Sequence, residues 1–68
     1  METKSILSMN IYKYRKQNGL TQLQLADYLG VSSQAVSKWE QGSSAPDISL
    51  LPELSKIFGV SINELFGE

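Results

Sequence analysis

Apolar residues recur along this chain at helical spacing, in short stretches that each close on a glycine. Gly19, Gly30, Gly42, Gly59 and Gly67 each follow one such stretch. A glycine just past a helix takes the left-handed conformation without a Cβ penalty, so five of them predict five helices. No segment alternates with period two for long enough to predict a strand. The start signals agree with the stops. Thr21 stands as N-cap three residues before Gln24, with Leu20 and Leu25 placed as a hydrophobic staple, and Val60, Ser61, Glu64 and Leu65 repeat the device. Ser32 caps a third helix between Val31 and Val36 without an acidic partner, and Asp47 after Pro46 caps a fourth. Together these signals place helices over residues 6–18, 22–29, 33–41, 48–58 and 62–66, with residues 1–5 expected to be disordered.

Pro52 complicates the fourth start. If Asp47 caps the helix, Pro52 costs a backbone bond; if Ser49 caps it, Pro52 falls in the first turn, where proline is tolerated. Between the second and third helices only Gly30, Val31 and Ser32 are available, which forces a steep crossing and predicts a helix-turn-helix unit over about residues 21–41. The expected fold class is all-α, one domain spanning residues 1–68.

Composition narrows the chemistry. A chain of 68 residues, 41% hydrophobic, buries only about 60% of the surface its unfolded form exposes. A core of this size rarely supplies more than about 3–5 kcal/mol without staples. The absence of Cys and His excludes disulfides, Cys/His zinc sites, thiol chemistry and His-dependent triads. Carboxylates are scattered singly, no Ser has a base beside it, and no Gly-rich phosphate loop follows a strand, so no enzyme, cofactor, metal or small-molecule site is expected. Nothing approaches a signal-peptide core or a membrane span, so a cytoplasmic protein is expected. The net charge of −1 argues, taken alone, against a nucleic-acid partner.

The third helix argues the other way. At about 100° per residue, Ala35, Val36 and Trp39 share one arc, and Ser33, Gln34, Ser37, Lys38 and Gln41 share the other. The outer arc holds hydroxyls, amides and one long cation but no carboxylate. Solvated helix faces usually mix Glu with Lys, whereas this set suits a helix laid in the major groove of double-stranded DNA. A plain solvated face remains the alternative. The helix starts at Gln22 and Ser32, and the stretch Gln41-Gly42-Ser43-Ser44, add neutral donors for phosphates.

The string Gly19-Leu20-Thr21-Gln22, Leu25-Ala26, Leu29-Gly30-Val31-Ser32, Val36-Ser37, Trp39-Glu40, Gly42 and Pro46 resembles the phage repressor and Cro (XRE-type) helix-turn-helix family over about residues 10–66. The resemblance implies a compact five-helix bundle, lambda-repressor-like, whose third helix enters the major groove. It puts Ser33, Gln34, Ser37 and Lys38 where the family reads bases, and Gln22, Ser32, Ser43 and Ser44, with Gln41 beside them, where it contacts phosphates. It also implies a structural ion pair between Arg15 and Glu40. The sequence departs from the family at Tyr14, where an aliphatic residue is usual, at Ser55, where Ala is usual and a hydroxyl could back-bond to its own helix, and at Ser33, which is shorter than the usual base-reading side chains.

Leu51, Leu54, Phe58, Val60 and Leu65 account for the core side of the last two helices, leaving Leu50, Ile57, Ile62 and Phe66 as a candidate patch for a homodimer on DNA. Leu23 and Tyr28 read as scattered surface hydrophobes. The function expected is sequence-specific DNA binding by a transcriptional regulator, a repressor acting as a dimer on a palindromic site. The alternative is a protein-interaction module such as the antitoxin of a toxin–antitoxin pair. The charge total conceals a division that permits the first reading: residues 1–38 hold five cations against two carboxylates, and residues 39–68 hold one against five.

Overall fold

Ser5 opens the first helix. Its hydroxyl accepts from the Ser8 backbone N–H at 3.0 Å, leaving α1 to run Ile6–Gln17. The structure, a computed structural model, describes residues 5–68. The disorder expected for residues 1–4 lies outside the described residues, and Ser5, assigned to the same stretch, is instead an ordered cap.

The remaining helices start and stop close to their sequence signals. α2 spans Gln22–Leu29, α3 Ser33–Gln41, α4 Leu51–Phe58 and α5 Ile62–Leu65. Both capping boxes form. Thr21 and Gln24 exchange bonds of 2.9 and 3.0 Å, and Ser61 and Glu64 exchange bonds of 2.7 and 3.0 Å. The helix expected over 48–58 divides in two. The Asp47 carboxylate takes both donors of Ser49, the N–H at 3.0 Å and the hydroxyl at 2.5 Å, and so caps a 3-10 turn over Ile48–Leu50. α4 then begins afresh with Pro52 in its first turn, where no intrahelical bond is lost.

These helices enclose a core of Ile11, Leu25, Ala26, Val36, Trp39, Leu51, Leu54, Phe58 and Leu65. Val60 is only half-buried at its edge, and Tyr14 fits beside Phe58 with ring centroids 5.9 Å apart. Ser55 does not back-bond to its own helix. Its hydroxyl donates to the Val60 carbonyl while its own carbonyl accepts from Gly59 and Val60, which closes the α4–α5 turn. A four-residue helix such as α5 cannot hold itself. Asn10 of α1 supports it by donating to the terminal carbonyls of Leu65 at 3.0 Å and Glu64 at 3.3 Å. Gly67 follows at φ +83°, and any Cβ there would stand 2.9 Å from Ile6 Cγ2.

The tie between α1 and α3 is ionic. Arg15 Nε and Nη2 reach Glu40 Oε2 and Oε1 at 2.6 and 3.1 Å, and Arg15 Nη1 donates to the Leu20 carbonyl at 2.8 Å. Arg15 is 7% exposed and Glu40 6%. Tyr12 lies over the guanidinium, its ring centroid 5.3 Å from Arg15 Cζ. Removing one partner from such a site strands a desolvated charge. Glu40→Ala is therefore expected to lower the unfolding free energy by about 3 kcal/mol, most of what so small a core supplies, while Arg15→Met with Glu40→Leu recovers most of that loss. Urea unfolding followed by Trp39 fluorescence measures both.

The Ser49 hydroxyl first, then the Ser49 N–H, holds the Asp47 carboxyl below its ordinary value of 3.8. Because the folded value is the lower one, the stability from this cap is complete above the unfolded value and fades as pH falls through the folded one. A carboxyl-detected NMR titration is expected to place Asp47 below 3.8, and Ser49→Ala to raise it.

Candidate nucleic-acid interface

The turn between α2 and α3 sets the geometry. Gly30 adopts φ +73°, the Val31 N–H returns to the Ala26 carbonyl at 3.0 Å, and the Ser32 hydroxyl caps α3 through the Ala35 N–H at 3.1 Å. Val36 and Trp39 are buried and Ala35 half-buried, which anchors the inner arc of α3 as its periodicity predicts. The outer arc then faces away from the core. Gln34, Lys38 and Gln41 are exposed, and Ser33 and Ser37 are half-buried. No carboxylate interrupts this face, because the only one on α3, Glu40, is turned inward onto Arg15.

Ser33 stands apart from the other base-reading candidates. It lines a hollow of about 550 Å³ together with Arg15, Lys16 and Gly19 at the end of α1 and Thr21, Gln22 and Leu23 at the start of α2. Two proposed phosphate contacts, Gln22 and Ser32, flank the first turns of α2 and α3, where free backbone N–H groups favour anions. Lys16 is the residue that the sequence did not single out. A cation in the last turn of α1 was its available signal, but only the fold brings it beside Gln22 and Ser33.

The candidate donors after α3 are fewer than the sequence suggests. The backbone N–H of Gly42 returns to Trp39, and those of Ser43 and Ser44 return to the Lys38 carbonyl at 3.0 and 3.4 Å. Only the hydroxyls of Ser43 and Ser44 remain uncommitted among the described residues. Gln41 bonds to Ser37, Nε2 to Oγ at 3.0 Å, so these two side chains present themselves as one unit. At the C-terminal helices the apolar surplus splits: Leu50 and Ile57 pack partly against the core, whereas Ile62 and Phe66 are 38% and 44% exposed. Leu23 and Tyr28 are exposed, as expected.

Comparison with known proteins agrees with this geometry. Residues 11–65 match the helix-turn-helix family model. The chain is 46% identical over 55 residues to the HTH-type transcriptional activator BcrR of Enterococcus faecalis, which covers 81% of this chain and 27% of that protein. It is 33% identical over 63 residues to the antitoxin PezA of Streptococcus pneumoniae, covering 93% of this chain and 40% of that protein. The chain thus spans less than half the length of either relative. Among solved structures, the P22 c2 repressor in complex with a synthetic operator superposes with a TM-score of 0.81 at 32% identity, over 88% of this chain and 91% of that one. On its folded geometry, its matching residues and these likenesses, the chain belongs to the helix-turn-helix family of phage repressor and Cro type.

Proposed function

We propose that this chain is the sequence-specific, double-stranded DNA-binding unit of a cytoplasmic transcriptional regulator, a repressor that acts as a dimer on a palindromic site. The observation that carries the reading is the outward face of α3, where Gln34 and Lys38 stand exposed and the one carboxylate of the helix, Glu40, is turned inward onto Arg15. In this reading Gln34 and Lys38, with Ser33 and Ser37, contact base edges; amides and Lys are suited to A and G in the major groove. Gln22, Ser32, Gln41, Ser43 and Ser44, with Lys16, contact phosphates and set the register. The likeness to P22 c2, which extends over nearly all of that chain, supports repression, whereas the likeness to BcrR, which covers 27% of that protein, supports activation. Among the described residues no helix is long and apolar enough to cross a membrane.

The dimer contact in this proposal centres on Ile62 and Phe66, beside Ile6 where it meets Gly67; Leu50 and Ile57 contribute only their uncovered edges. A second reading, a protein-interaction module, is favoured by the likeness to PezA. It places the working surface on the C-terminal helices and leaves Gln34 and Lys38 replaceable.

Selection of binding sites from a randomised duplex pool, followed by anisotropy on the selected duplex, separates the two. Gln34→Ala and Lys38→Ala are each expected to weaken the selected duplex by about 1–3 kcal/mol and relax specificity, whereas Gln22→Ala weakens all sequences alike. Equal affinity for selected and random duplex would defeat the regulator reading. With so few exposed cations, the slope of log K against log salt is expected to be only about −2 to −3 per protomer. Half-sites are expected about one helical turn apart, bound by two chains, and Phe66→Ser should abolish the two-chain complex in sedimentation runs while leaving half-site binding.

A further inference from the structure

Gln22 is the first residue of α2, half-buried, and its side chain is drawn into the interior ion pair. Glu40 Oε1 accepts two hydrogen bonds, from Arg15 Nη2 at 3.1 Å and from Gln22 Nε2 at 3.0 Å. A carboxylate can only accept, so it decides which end of the Gln22 amide turns toward the core: the nitrogen. That nitrogen carries two N–H bonds, and Glu40 uses one. Gln22 also lines the hollow between α1 and α2 with Lys16, Thr21 and Ser33.

We infer that Glu40 is a positioning residue for the DNA backbone: by holding Gln22 Nε2 at the rim of this hollow, it presents the second N–H of that amide to a phosphate oxygen. The inference rests on the DNA-binding reading above. Without Glu40 the amide is free to reverse and to turn its carbonyl oxygen, an acceptor, toward an anion. Arg15 keeps Glu40 in place from the other side with its bidentate bond, and the Leu20 carbonyl fixes Arg15 in turn. A neutral side chain thereby serves as an oriented phosphate donor at a position where a flexible cation would otherwise be needed. The buried pair that joins α1 to α3 and the contact that sets the register on DNA share one carboxylate oxygen.

A double-mutant cycle on the selected duplex tests this, with each variant confirmed folded by Trp39 emission at low temperature. Glu40→Gln is expected to weaken binding about tenfold in the wild-type background, the scale of one lost hydrogen bond to a charged group, but less than about twofold when Gln22 is already Ala. An equal loss in both backgrounds would show Glu40 acting on the fold alone and would overturn the inference. If no duplex is selected by the wild type, the DNA-binding reading falls and this inference falls with it. Should Glu40→Gln unfold, the wild type carries the test through its ¹⁵N-labelled side-chain amides. The Gln22 NH₂ hydrogens are expected to exchange with water more slowly than those of exposed Gln34, and to shift when duplex is added. Rapid exchange and an unmoved signal would overturn the proposal.

Discussion

The bidentate bond between Arg15 and Glu40 is the constraint on which the placement of α3 depends. α3 is only nine residues long and is attached to the hydrophobic core through Val36, Trp39 and part of Ala35. Apolar contacts alone permit a helix of that length to roll, because they have no direction. Two hydrogen bonds of fixed geometry to the guanidinium do not permit it. The same guanidinium grips the Leu20 carbonyl just before α2, and Glu40 grips Gln22 at the start of α2. Three helices are thus indexed to one another at a single buried site. The residues that occupy the outer arc of α3 follow from that index.

Burying this pair also changes the electrostatic account. The overall charge is −1, yet the N-terminal 38 residues are basic and the remainder acidic. Arg15 and Glu40 neutralise each other in the interior, so neither contributes to the surface field in full. What faces solvent on the basic half, among the described residues, is Lys13, Lys16 and Lys38 against Asp27. On the proposed reading, a surface of this kind relies on neutral donors: amides, hydroxyls and helix N-termini. Their geometry matters more than their charge, since an amide that points the wrong way offers an acceptor to a phosphate. Fixing orientation through a buried carboxylate suits such a surface.

Features carried by short-range chemistry were legible in the sequence. Thr21 with Gln24, Ser61 with Glu64, Ser32, and the glycines after each helix located the elements to within a residue or two, because capping depends on residues three or four apart. Where two local signals competed, the sequence left alternatives. Asp47 and Ser49 could each cap, and the structure uses Asp47 to bind Ser49, making a 3-10 turn that moves Pro52 into a harmless position. Interactions across the fold had no local signature. Asn10 reaches α5 from 55 residues away, and Ser55 reaches the Val60 carbonyl across a turn. Gln22 was readable as a phosphate contact from the family resemblance, but its bond to Glu40 depends on the α2–α3 crossing. The Arg15 and Glu40 pairing came from that resemblance; periodicity alone would have left both residues as ordinary surface charges. Lys16 acquires interest only when α1 and α2 are brought together around the hollow.

The central claim, that the outer arc of α3 and the helix starts beside it form the DNA-binding face, is tested most directly by mapping the complex on the protein. Titrating duplex DNA into the ¹⁵N-labelled chain should shift the backbone amides of residues 32–44 and the start of α2, together with the side-chain amides of Gln22, Gln34 and Gln41, while the interior of α4 stays unmoved. Shifts confined to α4 and α5, with Gln34 and Lys38 unaffected, would contradict the account.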